Sequence, residues 1–148
     1  MKKESVLFSL LIILLFIGCT LHRIEYVKIS PDAKIDKHKY QLLINRFLNY
    51  WDCMSKKDFQ CAYQYELPYQ RFLHDFKWYK NFNSANNQKY KIIFLDIIPK
   101  NNMTVIKSKY ISSDNKVTYV FYDRWYNIDG KWYHKMKVSR LPFGDNAE

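Results

Sequence analysis

The chain has 148 residues, 48% of them hydrophobic and 18% aromatic, with 13 Tyr and 10 Phe. That length holds one ordinary domain, and the aromatic content excludes a disordered chain. Three Gly and four Pro exclude a collagen-like or linker-dominated protein. A formal charge of +10 points toward anionic surroundings.

Lys2 and Lys3 open the chain, an apolar run follows from Val6 to Ile17, and Gly18-Cys19 closes it. The run is about a dozen residues long, whereas a spanning helix needs roughly 20. Basic, apolar and small residues in that order form the pattern of a secretory signal peptide. Phe16-Ile17-Gly18-Cys19 resembles the lipobox of bacterial lipoproteins, with Phe16 standing where Leu is usual. The resemblance implies that residues 1–18 are removed and that Cys19 becomes the lipidated first residue, anchoring the protein to a membrane of the cell envelope. Thr20, by that family's sorting rule, is compatible with the periplasmic side of the outer membrane in a Gram-negative cell. Residues 19–35 carry no sustained helical or alternating pattern and are expected to be a tether.

Asp36 can cap a first helix, along which Tyr40, Leu43, Ile44, Phe47, Trp51 and Met54 recur at spacings of three and four. Ser55-Lys56-Lys57-Asp58 breaks that stripe, and Asp58 is placed to cap the next helix. Phe59, Ala62, Tyr63 and Leu67 mark this short second helix, ended near Pro68. Phe72, Phe76 and Tyr79 suggest a third, before a polar loop over Asn81–Gln88. His74-Asp75, adjacent on that helix, reads as solvated surface because neighbouring helical residues point apart.

Cys53 and Cys61 are the two cysteines left once Cys19 is lipidated, an even number in an oxidising compartment. A short turn between antiparallel helices brings their Cα atoms within the roughly 4.4–6.8 Å that a disulfide needs. A Cys53–Cys61 bond is therefore expected. No metal site is, since neither has a CxxC partner or a His at ligand spacing.

After residue 89 the hydrophobic period becomes two. Four strands are expected over Tyr90–Ile98, Met103–Ser112, Lys116–Asn127 and Lys131–Val138, joined by tight turns at Asp114-Asn115 and Asp129-Gly130. Helices first and an antiparallel meander second make an α+β fold over residues 36–140, with a tail at 141–148. A two-residue turn at Asp129-Gly130 pairs Trp125 with His134. One face then carries Ile106, Ser108, Tyr110, Phe121, Asp123, Trp125, Trp132, His134 and Met136. The other carries Lys107, Lys109, Tyr122, Arg124, Tyr126, Lys131, Tyr133, Lys135 and Lys137, to which Ile92, Phe94 and Ile98 of the first strand could add apolar area.

This order of elements resembles the nuclear transport factor 2-like fold. The resemblance is carried by Lys57-Asp58-Phe59 at the second helix, Trp125-Tyr126, and the closing Asp129-Gly130-Lys131-Trp132-Tyr133. It implies a cone, with helices packed on a curved sheet of four or more strands and a pocket at the open end. Tyr110, Asp123, Trp125, Trp132 and His134 are the candidate pocket residues.

The family spans enzymes and noncatalytic domains, so three functions are weighed. The first is an envelope binding or assembly module that docks a partner protein, a second copy or a small apolar ligand. The second is an enzyme in which Asp123 and His134, diagonal neighbours on adjacent strands, transfer a proton. The third is an electrostatic adapter that presents Lys107, Lys109, Tyr122, Arg124, Tyr126, Tyr133 and Lys135 to an anionic surface. No GxSxG motif or phosphate-binding glycine loop is present, and no cofactor is expected. Nucleic acid is set aside as a partner because a lipidated envelope protein rarely meets it.

Overall fold

A computed structural model of the protein describes residues 27–85 and 89–138. The expected leader, Cys19, the tail at 141–148 and the end of the Asn81–Gln88 loop lie outside the described residues. The fold is α+β: β1 (Val27–Ile29), α1 (Lys37–Ser55), α2 (Phe59–Tyr63), α3 (Pro68–Leu73), α4 (Phe76–Ser84), then β2 (Tyr90–Pro99), β3 (Thr104–Ser112), β4 (Thr118–Ile128) and β5 (Lys131–His134).

Local signals start the helices. Asp36 accepts a hydrogen bond from the Lys39 backbone N–H at 3.0 Å, and Asp58 does the same for Cys61 at 3.0 Å. Leu43, Ile44, Phe47, Tyr50 and Cys53 form the buried stripe of α1. Phe47 meets Phe94 edge-on at 5.2 Å between ring centroids, and it approaches Trp125 at 6.3 Å. Side chains of this size each contribute roughly 1.5–3 kcal/mol on burial. Cys53 and Cys61 are disulfide-bonded with their Cα atoms 5.8 Å apart, closing the turn between α1 and α2.

The expected third helix is instead two. Pro68 starts α3 at its first turn rather than ending α2, as its missing N–H permits there. His74 is extended, and Asp75 caps α4 by accepting from the Trp78 N–H at 2.8 Å. The His74 ring stacks on Trp78 at 4.2 Å. Helix α4 continues through Ser84, into the segment expected to be loop.

The expected meander is present, and the sheet order is β1-β2-β3-β4-β5. Part of the expected tether is a strand: β1 pairs in parallel with β2, Val27 opposite Ile92 and Ile29 opposite Phe94. Three residues are too few to show an alternation, and the pairing is remote in sequence. Asp129 and Gly130 both have positive φ, 51° and 79°, which suits a two-residue hairpin turn. The turn pairs Trp125 with His134 and Asn127 with Trp132, as the spacing predicts. The β3–β4 connection is longer than two residues, closed by the Ser112 N–H on the Val117 carbonyl at 2.9 Å. Its register is nevertheless the expected one, with Ile106 opposite Asp123 and Ser108 opposite Phe121.

Strand β2 departs from unbroken alternation. Its register with β3 shifts between Phe94 and Asp96, a bulge that exchanges the inward and outward parity of the strand. Ile92 and Phe94 are therefore fully buried in the core, not on the lysine face; Ile98, beyond the bulge, is 36% exposed. Strand β5 ends at His134, short of the expected Val138. The Tyr65–Leu67 segment runs beside its end, with the His134 N–H on the Tyr65 carbonyl at 2.8 Å and the Leu67 N–H on the His134 carbonyl at 2.9 Å. Gln70 then brackets buried Met136, accepting from its N–H at 2.7 Å and donating to its carbonyl at 3.2 Å.

An aromatic cleft above a buried charge network

The inward face of β4 and β5 gathers the titratable groups. Asp123 and His134 are diagonal neighbours there, buried to 1% and 2% exposure. His134 Nε2 lies 3.5 Å from Asp123 Oδ1, an ion-pair contact rather than a formed hydrogen bond. The other ring nitrogen, Nδ1, meets Glu66 Oε2 at 2.8 Å. Glu66 is fully buried, and its second oxygen accepts from the Tyr50 hydroxyl at 3.1 Å. Asp123 Oδ2 accepts from the Trp51 indole N–H at 2.8 Å, and Lys137 Nζ stands 4.0 Å from Oδ1.

The network settles its own protonation. Burial by itself pulls the His134 imidazole down, but Glu66 and Asp123 more than reverse this and push it up to about 9. For Asp123, burial pulls upward, and the contacts of His134, Lys137 and Trp51 outweigh it to hold the carboxyl below its usual range. The imidazolium of His134 thus lies between Glu66 and Asp123, the paired form in which buried charge is tolerated.

Above this network is a cleft of about 180 Å³ at the end of the sheet where β2 and β4 begin and β3 ends. Trp51, Tyr90, Tyr110, Tyr119 and Phe121 form its walls. Tyr110 stacks on Tyr119 at 4.8 Å and tilts against Tyr90 at 5.1 Å, while Trp51 meets Phe121 edge-on at 5.4 Å. Burial raises the Tyr90 and Tyr119 phenols, so both stay neutral. Ser55, Lys57 and Phe59 form part of the rim, on the turn that the Cys53–Cys61 disulfide closes.

The five candidate pocket residues separate in space. Tyr110 lines the cleft, whereas Asp123 and His134 line a smaller recess of about 60 Å³. Trp125 is wholly buried in the core, and Trp132 packs half-buried against it; neither borders the cleft or the recess. Glu66 escaped notice because no motif ties it to His134. Trp51 is legible only as helix stripe, and Tyr90 and Tyr119 only as strand residues; Lys137, expected on the lysine face, reaches Asp123 and Phe121 on the inward side instead, because β5 ends at His134 and the strand alternation stops there.

On the opposite sheet face Lys107 pairs with Tyr122, Lys109 with Val120 and Tyr126 with Tyr133. The Lys135 N–H donates to the Arg124 carbonyl at 2.8 Å, so β5's continuation still follows β4. Tyr133 is partly covered at the sheet edge, where the Arg46 guanidinium of α1 lies 5.4 Å from its ring and 4.5 Å from Tyr65. Tyr122 is 53% exposed, and Lys107, Lys109, Arg124, Tyr126 and Lys135 are half-buried.

Among the described residues no group of three His, Cys, Asp or Glu side chains is arranged to hold a metal ion. No described helix is long and apolar enough to cross a membrane. No protein-family model matches the chain, and no curated protein matches it. Among solved structures the chain is similar to a SEC-C motif-containing protein from Rhodopseudomonas palustris, at 13% identity and a TM-score of 0.47, over 62% of this chain and 73% of that one. That likeness is too loose to carry an argument about fold or function.

Proposed function

We propose that the protein is a lipid-anchored component of the cell envelope whose domain, a nuclear transport factor 2-like cone, is a noncatalytic module that binds a small, largely apolar ligand. The observation that carries the binding reading is the cleft walled by Trp51, Tyr90, Tyr110, Tyr119 and Phe121. Such concave, aromatic surfaces with few polar groups suit small-molecule recognition. Helices that precede a meander, with the cleft on its helix-facing side, agree with the cone.

The electrostatics weigh against Asp123 or His134 as a general base, since the Asp123 carboxyl is held below its usual range. An imidazole raised to about 9 already holds its proton at neutral pH, so His134 is a poor general base. Its two nitrogens also face two carboxylates, which makes the trio a structural bridge between the Tyr65–Leu67 segment, β4 and β5. The basic aromatic sheet face remains the surface offered to a second copy, an envelope partner or an anionic polymer.

The anchor rests on Lys2, Lys3, Val6–Ile17 and Gly18-Cys19. Cys19→Ser should move the protein from the detergent-rich to the aqueous phase on temperature-induced phase separation; unchanged partitioning overturns the anchor. For the cleft, a soluble aromatic probe should perturb Trp51 in the wild type and bind at least about tenfold more weakly to Tyr110→Ala. Binding that leaves Trp51 unperturbed, or that ignores Tyr110, places the ligand elsewhere.

A further inference from the structure

The recess beneath the cleft has a specific chemical demand. His134 Nε2 and Asp123 Oδ1 are buried, and neither makes a hydrogen bond to another protein group. Both residues line the recess of about 60 Å³, which has room for more than one water-sized group. Trp51, Met54, Asn83 and Lys137 border the recess and the cleft alike, so the one is the floor of the other.

A protonated imidazole offers a donor at Nε2 and a carboxylate offers an acceptor at Oδ1. A group that satisfies both must accept and donate at once. A carboxylate there would be repelled by Asp123, and an ammonium by His134 and Lys137. A methyl would leave both protein atoms with only their 3.5 Å ion-pair contact and no hydrogen bond, which is costly in a buried site. A hydroxyl meets both.

The mouth makes a different demand. Lys57, Lys89 and Lys137 line the cleft, and no Asp or Glu does among the described residues. Lys137 also reaches over the Phe121 ring at 5.1 Å, which directs its charge across the aromatic wall. That collar favours an anion where the recess favours a neutral hydroxyl.

We propose that the recess is a hydroxyl-binding subsite and that the ligand of the cleft is a small flat ring carrying a hydroxyl at one end and an anionic group at the other. The proposal rests on reading the cleft as a binding site and adds the chemistry of its two ends.

The test uses the full chain in detergent micelles and follows the indole N–H resonances of its 4 Trp residues, with Trp51→Phe to assign the reporter. Three probes are titrated: 4-hydroxyphenylacetate, phenylacetate and 4-hydroxyphenylethanol. The hydroxylated acid should shift the Trp51 signal and bind at least about tenfold more tightly than phenylacetate, because the analogue lacking the hydroxyl leaves buried groups unpaired. Lys89→Gln, a change at an exposed residue that borders the cleft but not the recess, should weaken the acid severalfold and leave the neutral alcohol unchanged. Equal affinity of the two acids means that the recess holds water only and overturns the hydroxyl subsite, while the cleft stands. Equal loss for acid and alcohol in Lys89→Gln overturns the anionic end. No Trp51 shift with any probe overturns the binding reading together with the proposal.

Discussion

Glu66 and His134 lie 68 residues apart in the chain, yet Glu66 Oε2 and His134 Nδ1 meet at 2.8 Å in the buried interior. The backbone brings them together. The bridge between Glu66 and His134 runs parallel, flanked by hydrogen bonds from His134 to Tyr65 and from Leu67 to His134. The helical layer is thereby stitched to the last strand, and the charge network is held on the floor of the cleft.

Stability should depend on pH through His134, which faces Glu66, Asp123 and the Tyr50 ring, with Lys137 beyond Asp123. Its folded pKa of about 9 lies above the ordinary imidazole value of 6.5. The folded state therefore holds a proton that the unfolded state releases between those values, and stability falls as pH rises across that window. The stabilisation is complete below about 6.5 and lost above about 9, on the order of 3 kcal/mol in total. Thermal melts should show a Tm declining from pH 6.5 to 9 in the wild type and a flatter profile in His134→Gln. Equal slopes in both proteins would contradict the imidazolium.

Breaking the pair from the other side should cost as much. Glu66→Ala leaves the imidazolium facing one carboxylate and the Tyr50 hydroxyl without its acceptor. Removing one partner of a buried pair destabilises by about 3–5 kcal/mol. Urea denaturation gives the number directly; a loss under about 1 kcal/mol means that the trio is not formed in solution.

The disulfide Cys53–Cys61 closes a short loop that carries the cleft rim. Chain-entropy arguments put its contribution at about 2–3 kcal/mol for a loop of this size. Cys53→Ser with Cys61→Ser should lower the urea midpoint accordingly and weaken aromatic probes in the cleft. Intact mass measured without reductant should be about 2 Da below that of the reduced chain, from the two hydrogens lost.

Gln70 holds Met136 through both halves of its amide. Gln70→Ala leaves the buried N–H and carbonyl of Met136 unmet, at a cost of about 1–3 kcal/mol each. Hydrogen exchange should quicken first at Met136. Unchanged protection there would show that Gln70 is not what retains the strand's continuation.

Much of this fold was legible locally. Asp36 and Asp58 each stand before an apolar helical stripe, and both cap. The Asp129-Gly130 hairpin placed Trp125 opposite His134, with Asp123 and His134 on the inward face, and the turn at Asp114-Asn115 carried the faces on to put Lys107 and Lys109 on the other. A disulfide across a short turn followed from spacing and an even cysteine count.

What the chain could not announce is what depends on distant partners. Strand β1 exists only because β2 offers it an edge, and three residues leave no period to detect. The bulge between Phe94 and Asp96 reversed the parity of β2, and the stretch Ile92–Ile98, apolar but for Asp96, has no alternation from which such an offset could be read. Glu66 became the principal partner of His134 through a backbone bridge that brings together two segments remote in sequence. Turns, caps and alternation are set by neighbours along the chain, so the sequence by itself determined the first helix, the meander and the faces of β3, β4 and β5. The cleft and its charged floor arise where α1, the Tyr65–Leu67 segment and four strands converge, and only tertiary packing decided which side chains meet there.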